Sequence, residues 1–450
     1  MKPLKIGITG VRGIVGETFT PELAVRLASA FATYMGEGRI CLCEDARPSG
    51  KMVRSAVISA LIASGCEPVD LGICPAPAMQ FEIRHSGAAG GIVISAGHNP
   101  EEWNALRFVR SDGMYFNELQ GEEILDIYHQ GEFHKADWES LKPLRTDRNA
   151  KKRHIDAVLA AVDTKRIKKA GLRVALDTCN GACCREAKAL LDALGCSRAA
   201  LNDDPGEPFP HDPEPNEYNM RPLAAVVAAT GFDAGFMFDT AGERLALVAD
   251  GGRPLSEEQT IALCADFALE KHRGPIVTNV CTTRALDDLA KKYKVKIIRT
   301  SVGQGYVAET AMKFGAAAAG EGSGGVVVPR VHYAFDALAT MAFVLDGLAR
   351  RKSSLSAAAA ALPKYFMLKD KVELDYTAIY RVIRKARRFL RKTSGATRLD
   401  MTDGMKMEWD SSWLHIRPSN TESMVRIIAE ARTERRAREL LETGREIIEK

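Results

Sequence analysis

Apolar and polar positions run along the first third of the chain in two alternating rhythms. Leu4 to Thr9 reads as a strand. Pro21 to Met35 carries apolar residues at helical spacing, with Thr20 placed to cap it. Arg39 to Glu44 is predicted as a second strand, followed by the turn Asp45-Ala-Arg-Pro-Ser-Gly50 and a helix over Met52 to Ser64. Strands at Pro68 to Leu71 and Gly91 to Ser95 complete a β-α-β-α-β pattern, which predicts a mostly parallel sheet covered by helices.

The rhythm then restarts twice. Leu172 to Asp177 is a strand that ends at Cys179-Asn-Gly181, followed by a helix over Arg185 to Leu194 and a strand over Ala234 to Phe238. Between them, Asp203 to Pro215 is rich in proline and acidic residues and reads as a loop. A third round runs from Pro275 to Asn279 through a helix at Arg284 to Tyr293 to a strand at Val295 to Arg299. Further strands are expected at Met405 to Glu408, Trp413 to Arg417 and Met424 to Ala431, before a closing helix rich in arginine and glutamate. The pattern predicts an α/β protein of three tandem related domains with mixed, mostly parallel sheets, at 1–150, 151–251 and 252–365. A smaller C-terminal α+β domain is expected at 366–450.

Length agrees with this division, since 450 residues exceed one ordinary core. Apolar content of 46% and charged content of 27% are those of a soluble globular protein. A net charge of +4 gives no general attraction to nucleic acid, and the basic run Arg381 to Lys392 reads as a solvated helix face. No apolar run reaches membrane-spanning length, and the N-terminus lacks a signal-peptide pattern. The ten cysteines form no Cys-x-x-Cys pair, so buried thiols in a reduced, cytoplasmic protein are expected.

Candidate chemistry sits in the loops. Gly7-Ile-Thr-Gly-Val-Arg-Gly13 is a glycine-rich turn presenting Arg12, and Asp45-Ala-Arg-Pro-Ser49 offers Arg47 to a phosphate or to a structural ion pair. Gly91 to Pro100 is a short apolar strand that breaks into a turn ending His98-Asn99-Pro100, followed by Trp103-Asn-Ala-Leu-Arg107. Phe238 to Ala246 sets Asp239 and Glu243 close together, either as ligands for a hard cation or as ordinary turn residues. Ala319-Gly-Glu-Gly-Ser-Gly-Gly325 reads as a flexible turn bearing Glu321 and Ser323. In Arg417-Pro-Ser-Asn-Thr-Glu-Ser423, a guanidinium fork, two hydroxyls and the turn's backbone N–H groups suit a phosphate dianion.

Taken in this order, over nearly the whole chain, these loops resemble those of the phosphohexomutases: phosphoglucomutase, phosphomannomutase and phosphoglucosamine mutase. The continuation Val326 to His332 and Asp336 is most similar to the phosphoglucosamine and phosphomannose branches. In that family a Thr-Ala-Ser-His-Asn-Pro turn carries the serine that takes and gives phosphate, and the matching position here is Gly97. Ser95 and His98 are the neighbouring candidates to carry the phosphoryl group instead. Arg107 stands where the family has lysine; it keeps the charge but holds its proton, so it can stabilise phosphate and cannot act as a base.

The family's metal loop, Asp-x-Asp-Gly-Asp-Arg, matches Asp239, Ala241, Glu243 and Arg244, which implies a Mg²⁺ site weakened by the lost middle ligand. Glu321 and Ser323 are implied to bind sugar hydroxyls, and Arg417, Ser419, Asn420 and Thr421 to clamp the distal phosphate. The implied function is interconversion of the 1- and 6-phosphates of a hexose or hexosamine, with hexose 1,6-bisphosphate as activator. A phosphosugar is then the partner, a monomer or homodimer the working form, and neither nucleic acid nor membrane is involved. The missing serine keeps open an alternative expectation, a non-catalytic sugar-phosphate binder or regulator on the same scaffold.

Overall fold

The computed structural model describes residues 4–7, 10–374, 397–418 and 424–449. The basic run 381–392 and the expected clamp residues Ser419, Asn420 and Thr421 lie outside the described residues. Among the described residues the strands form four separate sheets.

The first sheet contains β1 (Lys5–Gly7), β2 (Gly10–Ile14), β3 (Arg39–Glu44), β4 (Glu67–Ile73), β5 (Gly90–Ile94), β6 (Trp103–Arg110) and β7 (Arg145–Thr146). Their order is β1-β2-β6-β5-β3-β4-β7. The parallel centre, β5-β3-β4, is the expected β-α-β-α-β unit. Thr20 caps the helix Pro21–Met35 by accepting a hydrogen bond from Leu23 N, and Pro21 sits in the first turn, where its missing N–H costs nothing.

The edge departs from expectation. Of the strand predicted over Leu4 to Thr9, Lys5–Gly7 is observed and Ile8 and Thr9 lie outside the described residues; β2 pairs antiparallel with β1 and with β6. The sequence pattern did not mark β6 as a strand, because Asn104, Arg107 and Arg110 interrupt its apolar run. These interruptions set Arg12 opposite Ala105 and leave Arg107 only two residues farther along β6.

The second sheet joins β8 (Arg173–Asp177), β9 (Ser197–Leu201), β10 (Ala234–Phe238), β11 (Leu245–Ala249) and β12 (Arg253–Pro254) in the order β12-β11-β10-β8-β9. All five residues of β10 are buried, as a central strand covered on both faces requires. The third sheet runs β14 (Ile297–Thr300), β13 (Ile276–Asn279), β15 (Ala318–Gly320), β16 (Val326–Val327). The fourth is wholly antiparallel, β17 (Phe366–Glu373), β21 (Met424–Ala431), β20 (Ser412–Pro418), β19 (Met405–Trp409), β18 (Arg398–Asp400), with the helix Glu434–Glu449 packing Leu440 and Ile447 into its core. Three tandem α/β units and a smaller α+β unit are therefore the observed fold, as the pattern predicted.

The second and third units share one hydrophobic core. Leu176, Leu190, Phe236 and Leu247 of the second pack in the same cluster as Phe267, Leu286, Leu338 and Leu345 of the third. A polar knot lies beside it. Asp336, fully buried, takes His154 Nε2 at 2.7 Å and His332 Nε2 at 3.0 Å, while its other oxygen caps the helix Ala337–Arg351 through Ala339 N.

The third and fourth units meet through buried carboxylates. Glu430 accepts from Trp413 Nε1 at 2.7 Å and from Arg284 N at 2.9 Å. Glu258 accepts from Thr283 N at 3.0 Å and lies 3.3 Å from Lys369 Nζ. Burial raises Glu258 to about 7. A carboxyl whose folded value is raised binds protons more tightly folded than unfolded, so its stabilising effect fades as pH climbs through that value. Glu258→Gln should therefore flatten the decline in stability between about pH 4.5 and 7, by on the order of 3 kcal/mol. Urea midpoints of wild type and variant across that window check it; parallel curves would refute it.

Candidate active site

The turn after β5 is built around Arg47. Its guanidinium is buried and donates to Asp45 Oδ2 at 3.0 Å, to Gly97 O and Asn99 O at 2.7 Å each, and to Trp103 O at 2.8 Å. Arg47 is thus the structural member of its pair, bracing the turn from behind. Ser95 is committed as well: buried, its hydroxyl donates to Asp45 Oδ2 at 2.6 Å and accepts from Gly97 N at 2.9 Å. Thr240, from the second unit, donates to Gly97 O at 2.8 Å and ties the two units together at this point.

Gly97 itself is held at φ +56°, in the left-handed region. Among the described residues a Cβ there would meet only Asp239 Oδ2, at 3.8 Å, and that face of the turn is otherwise open. His98 follows, half-buried. Arg244 first, then burial, then Arg12, Arg107 and Arg426 hold its imidazole well below the usual histidine range. Four guanidiniums from three units of the chain thus act electrostatically on this one ring. Arg12 is fixed by donating to Asn99 Oδ1 at 2.9 Å.

The 239–244 loop faces this turn. Asp239 Oδ1 accepts from Glu243 N at 2.8 Å and Arg244 N at 3.1 Å. Burial and the neighbouring Glu243 raise Asp239 to about 6. Both oxygens of Glu243 are taken: Arg107 Nη1 lies 2.6 Å from Oε2, and the Tyr115 hydroxyl donates to Oε1 at 2.7 Å. Although burial opposes its charge, Glu243 holds the Arg107 pKa above its ordinary value. The Ala241 methyl is buried in an apolar cluster with Cys43, Cys74 and Tyr115.

This donor set does not fit the Mg²⁺ that the resemblance implies. Mg²⁺ takes about six oxygen ligands in near-octahedral geometry, and here one carboxylate is a methyl group and another is held by Arg107 and Tyr115. Elsewhere, the donor atoms of His154, His332 and Asp336 lie within 4.8 Å of one another, but both histidines already bond to Asp336.

The third unit closes on the same place. Leu245 N donates to Gly324 O at 3.0 Å, so the glycine turn abuts the 239–244 loop. Glu321 is buried and accepts from Gly303 N at 2.7 Å, while Ser323 Oγ is buried with no partner among the described residues. Asp403 of the fourth unit reaches the segment beside this turn: it accepts from Val302 N, next to Gly303, at 2.9 Å and from Arg417 Nη1 at 3.1 Å.

Arg426, Tyr115, Thr240 and Asp403 were missed at the level of sequence. Arg426 had a signal, since it lies directly opposite Arg417 across β20 and β21. Two like charges so placed repel unless an anion lies between them. Tyr115 and Thr240 offered none, because their roles exist only through contacts 128 and 143 residues away.

Comparison with known proteins follows the same division. The phosphoglucomutase/phosphomannomutase family models match consecutively: alpha/beta/alpha domain I at residues 3–135, domain II at 152–252, domain III at 256–366 and the C-terminal domain at 402–446. A phosphoglucomutase/phosphomannomutase of Thermococcus kodakarensis is 36% identical over 98% of each chain. A probable phosphoglucosamine mutase of Methanopyrus kandleri is 33% identical over 96% of this chain and 95% of its own. The crystal structure of a phosphoglucomutase/phosphomannomutase family protein from Burkholderia thailandensis superposes with a TM-score of 0.87 at 25% identity, covering 100% of this chain and 98% of that one. The chain belongs to the alpha-D-phosphohexomutase superfamily.

Proposed function

We propose that this chain is a phosphohexomutase acting on hexose or hexosamine phosphates, moving phosphate between the 1- and 6-positions. The observation that carries this reading is that Arg12, Arg107, Arg244 and Arg426, from three units of the chain, all act electrostatically on His98, beside a face of Gly97 that is open among the described residues. The sugar turn of Glu321 and Ser323 abuts the same loops, and Asp403 links the segment beside it to Arg417. Such a cationic centre suits the charge of a transferring phosphoryl group. Arg417, with Ser419, Asn420 and Thr421, holds the distal phosphate in this reading.

The phosphoryl carrier is His98. The Ser95 hydroxyl is buried in its own hydrogen bonds, whereas the His98 imidazole is neutral and half-exposed. Its nitrogen lone pair attacks a phosphorus of hexose 1,6-bisphosphate. The N–P bond forms as the P–O bond to the sugar breaks, and the sugar oxygen takes a proton from solvent. The reverse step onto the other hydroxyl completes the exchange, so the bisphosphate is needed to charge the enzyme. In this reading the protein is cytoplasmic, which its ten free thiols suit, and works as a monomer or homodimer; among the described residues no helix is long and apolar enough to cross a membrane.

The test is ³¹P NMR of the full chain with glucose, mannose or glucosamine monophosphates, with and without the 1,6-bisphosphate. Bisphosphate-dependent isomerisation and an acid-labile phosphoryl group at His98 are expected. Binding with no isomerisation in either case would leave a non-catalytic sugar-phosphate binder.

A further inference from the structure

We propose that the Arg107 guanidinium, paired to Glu243, takes the electrostatic place of a divalent cation, so that this site binds a phosphoryl group without metal. The inference rests on the phosphosugar reading above and deepens it. Three observations carry it. Both oxygens of Glu243 are already engaged, one by the Arg107 cation and one by the Tyr115 hydroxyl, so an ion there would compete with a buried guanidinium. Ala241 contributes a methyl group to an apolar cluster instead of a carboxylate. A cation bound at Asp239 would also enter the field of Arg12, Arg107 and Arg244, which already suppresses the charge on His98.

Displacing Arg107 from Glu243 to admit an ion would be costly. The guanidinium lies over the Tyr115 ring at 5.0 Å, and its Nε and Nη2 are buried without hydrogen-bond partners among the described residues. Glu243 is its charge partner there, and an unpaired buried charge is strongly unfavourable. What the site keeps is a fixed, always-protonated cation where the chemistry needs positive charge. It gives up the second unit of charge and the exchangeable ligand sphere that Mg²⁺ would supply. The loss of the Ala241 carboxylate matches that change, because less negative charge remains to be neutralised.

The test uses the full chain, with Mn²⁺ binding followed by EPR and glucose 1,6-bisphosphate binding followed by calorimetry. No stoichiometric Mn²⁺ binding is expected below about millimolar concentration, and bisphosphate affinity should differ by less than about twofold between EDTA and excess Mg²⁺. Arg107→Met should weaken bisphosphate binding by on the order of tenfold in both buffers. The double variant Arg107→Met/Glu243→Gln, which leaves no buried unpaired charge, should show the same loss and guards against misfolding.

One Mn²⁺ bound per chain, or affinity that rises about tenfold with Mg²⁺, overturns the proposal. If the bisphosphate binds in neither buffer, the phosphosugar reading fails, and the Mn²⁺ measurement decides the charge replacement by itself.

Discussion

Gly97→Ser is expected to raise turnover of a hexose monophosphate, in the presence of its 1,6-bisphosphate, by on the order of 10²-fold. It should also place an acid-stable phosphoryl group on the new side chain. Among the described residues the space is available: a Cβ at this position meets only Asp239 Oδ2, at an ordinary contact distance of 3.8 Å. The conformation is the opposing factor, because φ of +56° disfavours any residue with a Cβ by about 1–2 kcal/mol. Arg47 and Thr240 both grip Gly97 O, so the turn is held in place and the strain falls on stability more than on geometry. Asp239, raised to about 6, stands close enough to accept the hydroxyl proton. A coupled kinetic assay and intact-protein mass measurement check both outcomes. A folded variant that gains neither turnover nor phosphate would show that the 239–244 loop limits the chemistry along with the missing hydroxyl.

The second large effect is on stability. Asp336→Ala should cost about 3–5 kcal/mol, because it leaves two buried imidazoles and a helix N-terminus without their shared acceptor. His154 Nδ1 is already buried without a partner among the described residues, so the knot has little slack to reorganise. Burial opposes the charge on Asp336, but the two imidazoles outweigh it and hold its carboxyl well below the usual range. Burial also lowers His332.

The signs agree. A lowered histidine contributes stability that is present above its unfolded value, near 6.5, and lost as pH falls below it. A lowered carboxyl loses its contribution at still more acid pH. Wild type should therefore lose stability on acidification through this knot, and Asp336→Ala should be less stable at neutral pH with a shallower limb only below about pH 4, where the carboxyl itself titrates. Chemical denaturation at several pH values measures both. Asp336→Asn, which keeps the shape and the helix cap, should fall between the two.

The fold was legible where apolar runs had one clear period. The helix Pro21–Met35 and the strands Arg39–Glu44, Ala234–Phe238 and Met424–Ala431 stand where alternation and caps placed them. The edge of the first sheet was not legible. β6 carries Asn104, Arg107 and Arg110 on a strand whose burial is decided by partners far away in sequence, and β2 begins within the turn expected to follow β1.

The candidate site shows the same limit. Loop identity was readable from residue types in order, but what each side chain touches was not. Ser95 and His98 were both candidate carriers in the sequence, and only the structure shows the Ser95 hydroxyl buried in its own hydrogen bonds and His98 half-buried. Arg47, an ambiguous cation in the sequence, is the brace behind the turn. Glu243 looked like a ligand one methylene too long, and the structure gives that extra reach a use in meeting Arg107.

The interior shared by the second and third units has a consequence for how this molecule can be taken apart. Phe236 and Leu247 touch the same cluster as Phe267 and Leu345, so severing the chain between them would strip apolar surface from both pieces at once. Neither fragment would own a finished interior, and the two ought to melt as a single calorimetric body. The repeats that look like separate beads along the string are, in these two, one inseparable block.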